Sequence, residues 1–307
     1  MTFAKHETFY IREGWLFKGM AAIKSDEANH QLPTIFLDRD GPERLGIGRN
    51  MVRSLRFWIQ ATGLATEERE QGRTIHRLTP FGEWVWKYDR YFENEATLWL
   101  VHYHLVTDKE QATSWYWFFN HFAPITFDPD ACLTSLNSWV ISNWSEQEIA
   151  LNSLKKDIDC LLRTYVPTEK LITPEDLTES PLTRLGLLGN IGSKRQPLYR
   201  REQLLPSRLP VLVLLYVLID RQKKRRLDTL QVNLSQVLRE PMNAGRVFNL
   251  NTAILADLLT NLNKQYPDWS VRFIRTAGLD ELDLPAVEPN QILARLADEQ
   301  IPMLEVM

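Results

Sequence analysis

The chain has 307 residues, 44% hydrophobic and 24% charged, a globular composition that excludes disorder, collagen and coiled coil and, at about 150 residues per domain, suffices for roughly two domains. Its longest apolar run, Leu209 to Ile219, falls far short of the about 20 residues that cross a bilayer, and the opening MTFAKHETFYIREGW has no apolar stretch after its charges, so neither a membrane span nor a secretion signal is expected. The net charge is only −3, and two cysteines, Cys132 and Cys160, stand too far apart for a CxxC pair or a cysteine zinc site, which fits a cytoplasmic protein.

Taken in chain order, LPTIFL (Leu32 to Leu37) has the residues of a strand and runs into DRDGPE, a turn. On an extended segment Asp38 and Asp40 share one face, with Glu43 close behind. Hard oxygen ligands beside a phosphate-binding surface suit Mg²⁺ or Mn²⁺, so Asp38 and Asp40 are the expected metal ligands, and Asp38, Asp40 and Glu43 the candidate catalytic set. The competing view is a polar turn whose aspartates bond local amides.

From Gly48, RNMVRSLRFWIQAT places Val52, Leu55 and Ile59 on one helix face and Arg49, Arg53, Arg56 and Gln60 on the other, with no acid among the latter. Gly63 is a natural helix stop, ATEEREQGR is polar enough for a loop, Arg73 to Leu78 is a short strand, and Thr79-Pro80 opens another helix. This order is what a winged-helix module requires. It makes Arg49, Arg53, Arg56, Gln60 and Arg73 candidate contacts to double-stranded DNA.

Five tryptophans between Trp84 and Phe122 are too densely spaced to expose and are expected in the core, as is His121; His102 and His104 sit two apart on a helix and point away from each other. Ser145 and Glu148 form a capping box for a helix to about Arg163, and Val166 to Pro181 is a linker. The glycines of SPLTRLGLLGNIGSKRQPLYRR do not make a phosphate loop, because Ser193 separates Gly192 from Lys194. Between Lys194 and Arg226 ten Lys and Arg face two acids, whereas seven acids face Arg295 alone from Thr276 onward, so a phosphate-binding face is compatible with a negative total. Lys194, Arg195, Arg200 and Arg201 are the candidates for an auxiliary phosphate clamp. Helices around Leu209 to Ile219, Val232 to Leu238 and Asn249 to Asn263, with a strand at Ser270 to Arg275, allow a second helix-turn-helix-like unit.

The expected class is mainly α with small β wings (α+β): a winged-helix module over residues 1–110, an aromatic-rich helical segment over 111–165 and a mainly helical domain over 166–307. No metalloprotease, serine-hydrolase, dinucleotide-binding or common nuclease motif is present, so no nucleotide or organic cofactor is expected.

The segments FYIREGWLFKGM, ERLGIGRNMVRSLRFWIQATGL, LTPFGEWVWKYDRYFENEATLWLVHYHL, SPLTRLGLLG and AGRVFNLN together resemble the SspB-like family, a bacterial family first catalogued as a domain of unknown function that accompanies DNA phosphorothioation genes. The resemblance spans nearly the whole chain. It implies a component that nicks one DNA strand for sulfur incorporation in a defence system, with ATPase and sulfur-transfer subunits as partners, and it carries over no active-site residue. Self-association as a homodimer stays open. The missing nuclease signature favours a non-catalytic subunit that recognises DNA and recruits the modifying enzymes. A winged-helix transcriptional regulator is a third reading, which the large aromatic middle does not suit.

Overall fold

Apolar side chains three and four apart make helices of most of this chain, and its strands are short. The computed structural model describes residues 1–144, 149–168, 179–225, 229–276 and 279–304. Its class is mainly α with small antiparallel sheets, as expected. The chain divides into two units, residues 1–118 with 122–201 and residues 119–121 with 202–307.

In the first unit α1 (Trp15–Ala28), α2 (Gly41–Leu45) and α3 (Arg49–Ala61) precede an antiparallel hairpin of β1 (Ala65–Glu70) and β2 (Arg73–Leu78), from which α4 (Pro80–Tyr88) returns. Helix α3 ends as its sequence indicates. Gly63, at φ 70°, donates its N–H to Gln60 O (2.8 Å) and Leu64 donates to Ile59 O (3.0 Å), the paired bonds of a glycine-terminated helix. Thr79 caps α4 by accepting from Gly82 N (3.0 Å), and its hydroxyl donates to Gly63 O (2.6 Å), tying the start of α4 to the end of α3.

Two local expectations are corrected. Leu32 to Leu37 is a series of turns, because Pro33 has no N–H to give and Thr34 N bonds back to Leu32 O (2.8 Å); what remains of a strand is one bond from His76 N to Pro33 O (2.9 Å). Ala65 to Glu70, expected as a loop, is a strand in register with β2 from Ala65 opposite Leu78 to Glu70 opposite Arg73. Its charges are no obstacle, since the strand leaves most of its side chains at the solvent. Gln71 (φ 49°) and Gly72 (φ 76°) make the left-handed two-residue turn that a twisted hairpin favours.

Behind this module lie α5 (Glu95–Thr107), α6 (Thr113–Asn120), β3 (Thr126–Phe127), α7 (Pro129–Asn143), α8 (Leu151–Tyr165), β4 (Leu188–Asn190) and β5 (Tyr199–Arg201), the three strands forming a sheet in the order β3-β5-β4. The aromatic stretch is mostly core: Trp84 is buried and Trp99, Trp115, Trp117, Tyr103 and Phe118 fully so, whereas Trp86 is half-buried and Tyr91 exposed. Helix α8 starts after Ala150, later than expected; Ser145 and Glu148 lie outside the described residues, as does most of the expected linker. At the back of this core Asp157 of α8 accepts from Ala4 N (2.8 Å), His6 Nε2 (2.8 Å) and Ser114 Oγ (2.5 Å). Thr8 N donates to His6 Nδ1 (3.1 Å), so His6 is the neutral tautomer with its proton on Nε2.

The second unit contains α9 (Val211–Lys224), β6 (Gln231–Asn233), α10 (Leu234–Arg239), α11 (Ala244–Val247), α12 (Thr252–Gln265), the hairpin β7 (Arg272–Thr276) with β8 (Leu279–Asp283), and α13 (Pro289–Leu304). Its sheet order is β6-β8-β7. The succession helix, strand, helices, hairpin repeats that of the first unit, with β6 standing where the first unit has the single Pro33 bond. The helices and strand expected around a second helix-turn-helix-like unit are therefore present, followed by a hairpin. Residues 119–121 belong to this second unit, and Asn120 Oδ1 accepts from Met242 N (2.6 Å).

Replacing Asp157 by Ala strands two buried donors, His6 Nε2 and Ser114 Oγ, and the half-buried Ala4 N–H, at about 1–3 kcal/mol for each buried group left unbonded. Guanidinium unfolding should show a loss of at least about 2 kcal/mol for Asp157→Ala and a smaller one for Asp157→Asn.

Candidate nucleic-acid interface

Helix α3 buries Val52, Leu55, Trp58 and Ile59 and turns Arg49, Arg53, Arg56 and Gln60 outward. Arg49 and Arg53 are exposed, whereas Arg56 and Gln60 are half-buried. The helix begins at Gly48, which offers no side chain to cap the amides of its first turn.

An acid from another element enters this face. Glu67 Oε1, on β1, accepts from Arg56 Nε (2.6 Å), Gln60 Nε2 (2.8 Å) and His76 Nε2 (3.2 Å). Burial pushes the Glu67 carboxyl up, but the hydrogen bonds and charge of Arg56, with help from His76 and Gln60, outweigh it and hold Glu67 below its usual value. His76 is fully buried; burial first, and Arg56 after it, keep its imidazole below its usual value although Glu67 pulls the other way. At the tip of the hairpin Arg73 is exposed and stands opposite Glu70 in the register. Arg77 is occupied by Glu70, Glu68 (3.6 Å) and Glu27 (3.5 Å).

The N-terminal strap, residues 2–9, runs alongside α3. Phe9 O accepts from Trp58 Nε1 (2.9 Å) and Ser54 Oγ (3.3 Å), and Glu7 Oε1 lies 3.7 Å from Arg53. Between strap and helix is a recess of about 380 Å³ lined by Thr2, Lys5, Glu7, Arg53, Arg56, Phe57, Gln60, Glu67 and Gln111. No sequence pattern announced the strap; the one available signal was the cation Lys5 just before His6.

The expected carboxylate cluster does not form. Both oxygens of Asp38 take the Thr34 hydroxyl (2.8 and 3.0 Å), and Arg44 lies 3.5 Å from Asp38 while also gripping the buried Asp26. Asp40 sits exposed at the start of the short α2, and Glu43 is exposed on it. Among the described residues no group of three or more His, Cys, Asp or Glu side chains is arranged to hold a metal ion. A guanidinium at Asp38 opposes a cation, so these residues do not fit Mg²⁺ or Mn²⁺.

Lys194, Arg195 and Arg200 are exposed on and beside the β4–β5 connection. Arg201 is different: its guanidinium lies 4.2 Å over the Phe118 ring and donates to Phe118 O and Phe122 O (3.1 Å), a packing role. Further along the basic run, Arg221 and Arg225 (2.8 Å) pair with Glu240, Lys223 with Glu288 and Lys224 with Asp220 (2.8 Å). His102 Nδ1 lies 2.7 Å from Tyr165 Oη inside the core, and His121 is exposed rather than interior. Both cysteines are buried, and burial raises their thiols, Cys132 to about 12.

The family model described as "Protein of unknown function (DUF4007)" matches residues 3–298. The chain belongs to that family. Two solved structures, described as "SspB crystal structure" and "Magnesium ion-bound SspB crystal structure", each superpose with a TM-score of 0.83 at 27% identity, covering 97% of this chain and 87% of theirs. No curated protein matches the sequence. The resemblance to the SspB-like family seen in the sequence thus holds over the full architecture of this DUF4007 chain. Among the described residues, no helix is long and apolar enough to cross a membrane.

The joint of α3 and wing should be pH-sensitive. The folded His76 and Glu67 values both lie below their usual ones, so each contributes stability that is complete above its usual value, about 6.5 or 4.5, and is lost as pH falls through the folded value. Melting temperatures from about pH 7 down to 5 should fall less steeply in His76→Gln, which keeps a donor for Glu67 and removes the buried titration.

Proposed function

We propose that this protein is a duplex-DNA-binding component of a bacterial DNA phosphorothioation system, gripping phosphates with the outward face of α3 and the tip of the β1–β2 hairpin. The observation that carries this proposal is the placement of Arg49, Arg53, Arg56 and Gln60 on one outward face of a helix that is followed by a wing bearing Arg73. Phosphate contacts fix register and affinity, and base edges are read by whichever of these side chains enter the groove. Lys194, Arg195 and Arg200 supply sequence-independent affinity. Likeness to SspB supports membership of such a system, with its ATPase and sulfur-transfer subunits as partners in the cytoplasm.

The triple variant Arg49→Ala, Arg53→Ala, Arg56→Ala should lose most duplex affinity in fluorescence anisotropy and flatten the salt dependence by about 0.9 for each phosphate contact removed. Unchanged affinity in a folded triple variant would refute the assignment.

The second reading is that the protein also nicks one strand with a divalent ion. It is favoured by the magnesium ion described in one SspB structure and by the family resemblance. Because Asp38 bonds Thr34 and Arg44, it is not the ligand in this reading. Supercoiled plasmid incubated with protein and Mg²⁺ or Mn²⁺, against an EDTA control, should relax to open circle, and Asp38→Asn and Asp40→Asn should nick at the wild-type rate. A purified protein that binds the plasmid and leaves it supercoiled would mark a recognition subunit instead.

A further inference from the structure

Three cations from two distant segments converge on the recess between the strap and α3: Lys5 from the strap, and Arg53 and Arg56 from the helix. Among the described residues Lys5 has no carboxylate partner. Arg53 is more than half exposed and its counter-ion, Glu7, lies at 3.7 Å, too far for a good hydrogen bond. Arg56 meets Glu67 through Nε. Thr2 and Gln111 add polar groups to the lining and Phe57 an apolar wall. The volume, about 380 Å³, is in the range of sites that hold small ligands.

The strap itself is held in an unfavourable shape. Ala4 (φ 54°), Glu7 (φ 49°) and Thr8 (φ 68°) are all left-handed without being glycine, a conformation that persists only where the surroundings over-determine it. Here the buried Asp157 does so by bonding Ala4 N and His6. A strained wall fixed from behind is characteristic of a binding site.

We propose that this recess takes one phosphate group of a DNA strand, held by Lys5, Arg53 and Arg56, with Glu7 as the carboxylate that the phosphate displaces. The proposal rests on the DNA-binding reading of α3 and adds the strap to it. In the free protein Glu7 stands loosely where the anion goes and keeps Arg53 oriented. A phosphate brings three or four oxygens to the same three cations and forms charge-assisted bonds where Glu7 at 3.7 Å makes none. Glu67 stays in place, because its oxygen is held by Gln60 and His76 as well as by Arg56.

The test is anisotropy of the full chain on a 20-base-pair duplex across about 50–200 mM salt, with Lys5→Ala, Glu7→Gln and Arg49→Ala, the last lying outside the recess. Lys5→Ala should weaken binding several-fold and reduce the salt slope by about 0.9, and Glu7→Gln should tighten it about two- to five-fold, the size of one exposed ion pair. If both recess variants bind as wild type while Arg49→Ala weakens binding, the recess is wrong and the α3 reading stands. If Arg49→Ala is also silent, the α3 reading fails and the recess fails with it. A single-stranded pentamer with and without a 5′ phosphate separates the sources. Preference for the phosphorylated pentamer that vanishes in Lys5→Ala supports a strand end, and equal, Lys5-dependent binding of both supports an internal phosphodiester. Binding of either pentamer that ignores Lys5 and Glu7 overturns the proposal.

Discussion

One carboxylate oxygen joins helix α3 to the wing that follows it. Glu67 Oε1 takes donors from Arg56, Gln60 and His76, so β1, β2 and α3 meet at a single atom. A half-buried carboxylate is unfavourable unless its bonds are made, and here three are made at once, which sets the position of Arg56 and Gln60 before any ligand arrives. The wing cannot swing away from α3 without breaking the bonds to Arg56 and Gln60, while the His76 bond fixes the same oxygen from within the hairpin. An interface ordered in advance loses less side-chain entropy when it binds, and the carboxylate that neutralises Arg56 also orders Arg56 and Gln60.

Local pairing, more than net charge, separates the two units. Both have a run of helices followed by a hairpin. In the second, the exposed residues of α12 include Thr252, Ala253, Ala256, Asp257, Thr260, Asn261 and Lys264, in which one acid offsets one base. In its wing Arg272 stands opposite Asp283 in the register. The cations at the end of α9 are satisfied by Asp220, Glu240 and Glu288. Two copies of one architecture therefore present different surfaces, and a DNA contact is argued from the side chains of α3 and not from the fold they share.

Local signals made much of this legible in the sequence. The 3.6-residue period of α3, its glycine stop at Gly63 and the Thr79-Pro80 start were visible because each depends on neighbours within one turn. The aromatic density between Trp84 and Phe122 similarly announced a core. What escaped was long-range. Glu67 reaches Arg56 only once β1 is recognised as a strand, and its acidic, solvent-facing pattern disguised that. Asp157 meets Ala4 and His6 across more than a hundred and fifty residues of chain. Arg201 read as a free cation until Phe118 was placed beneath it. Asp38 read as half of a metal site, and Thr34 and Arg44 make it part of a turn.

The aromatic middle has its role through the same geometry. Trp58, on the buried side of α3, meets Trp115 edge to face at 5.2 Å, with Phe57 at 4.9 Å, and His6 of the strap touches both tryptophans. These rings are buried, so they cannot be a platform for stacked bases. They form the wall against which α3 and the strap are both set. A rotation of α3 would have to repack large rings in a close-packed interior, and on its other side Arg49 and Arg53 are exposed while Arg56 is held by Glu67. A rigid backbone behind exposed cationic side chains suits the fixed spacing of a phosphate backbone, which is what the proposed DNA contact requires.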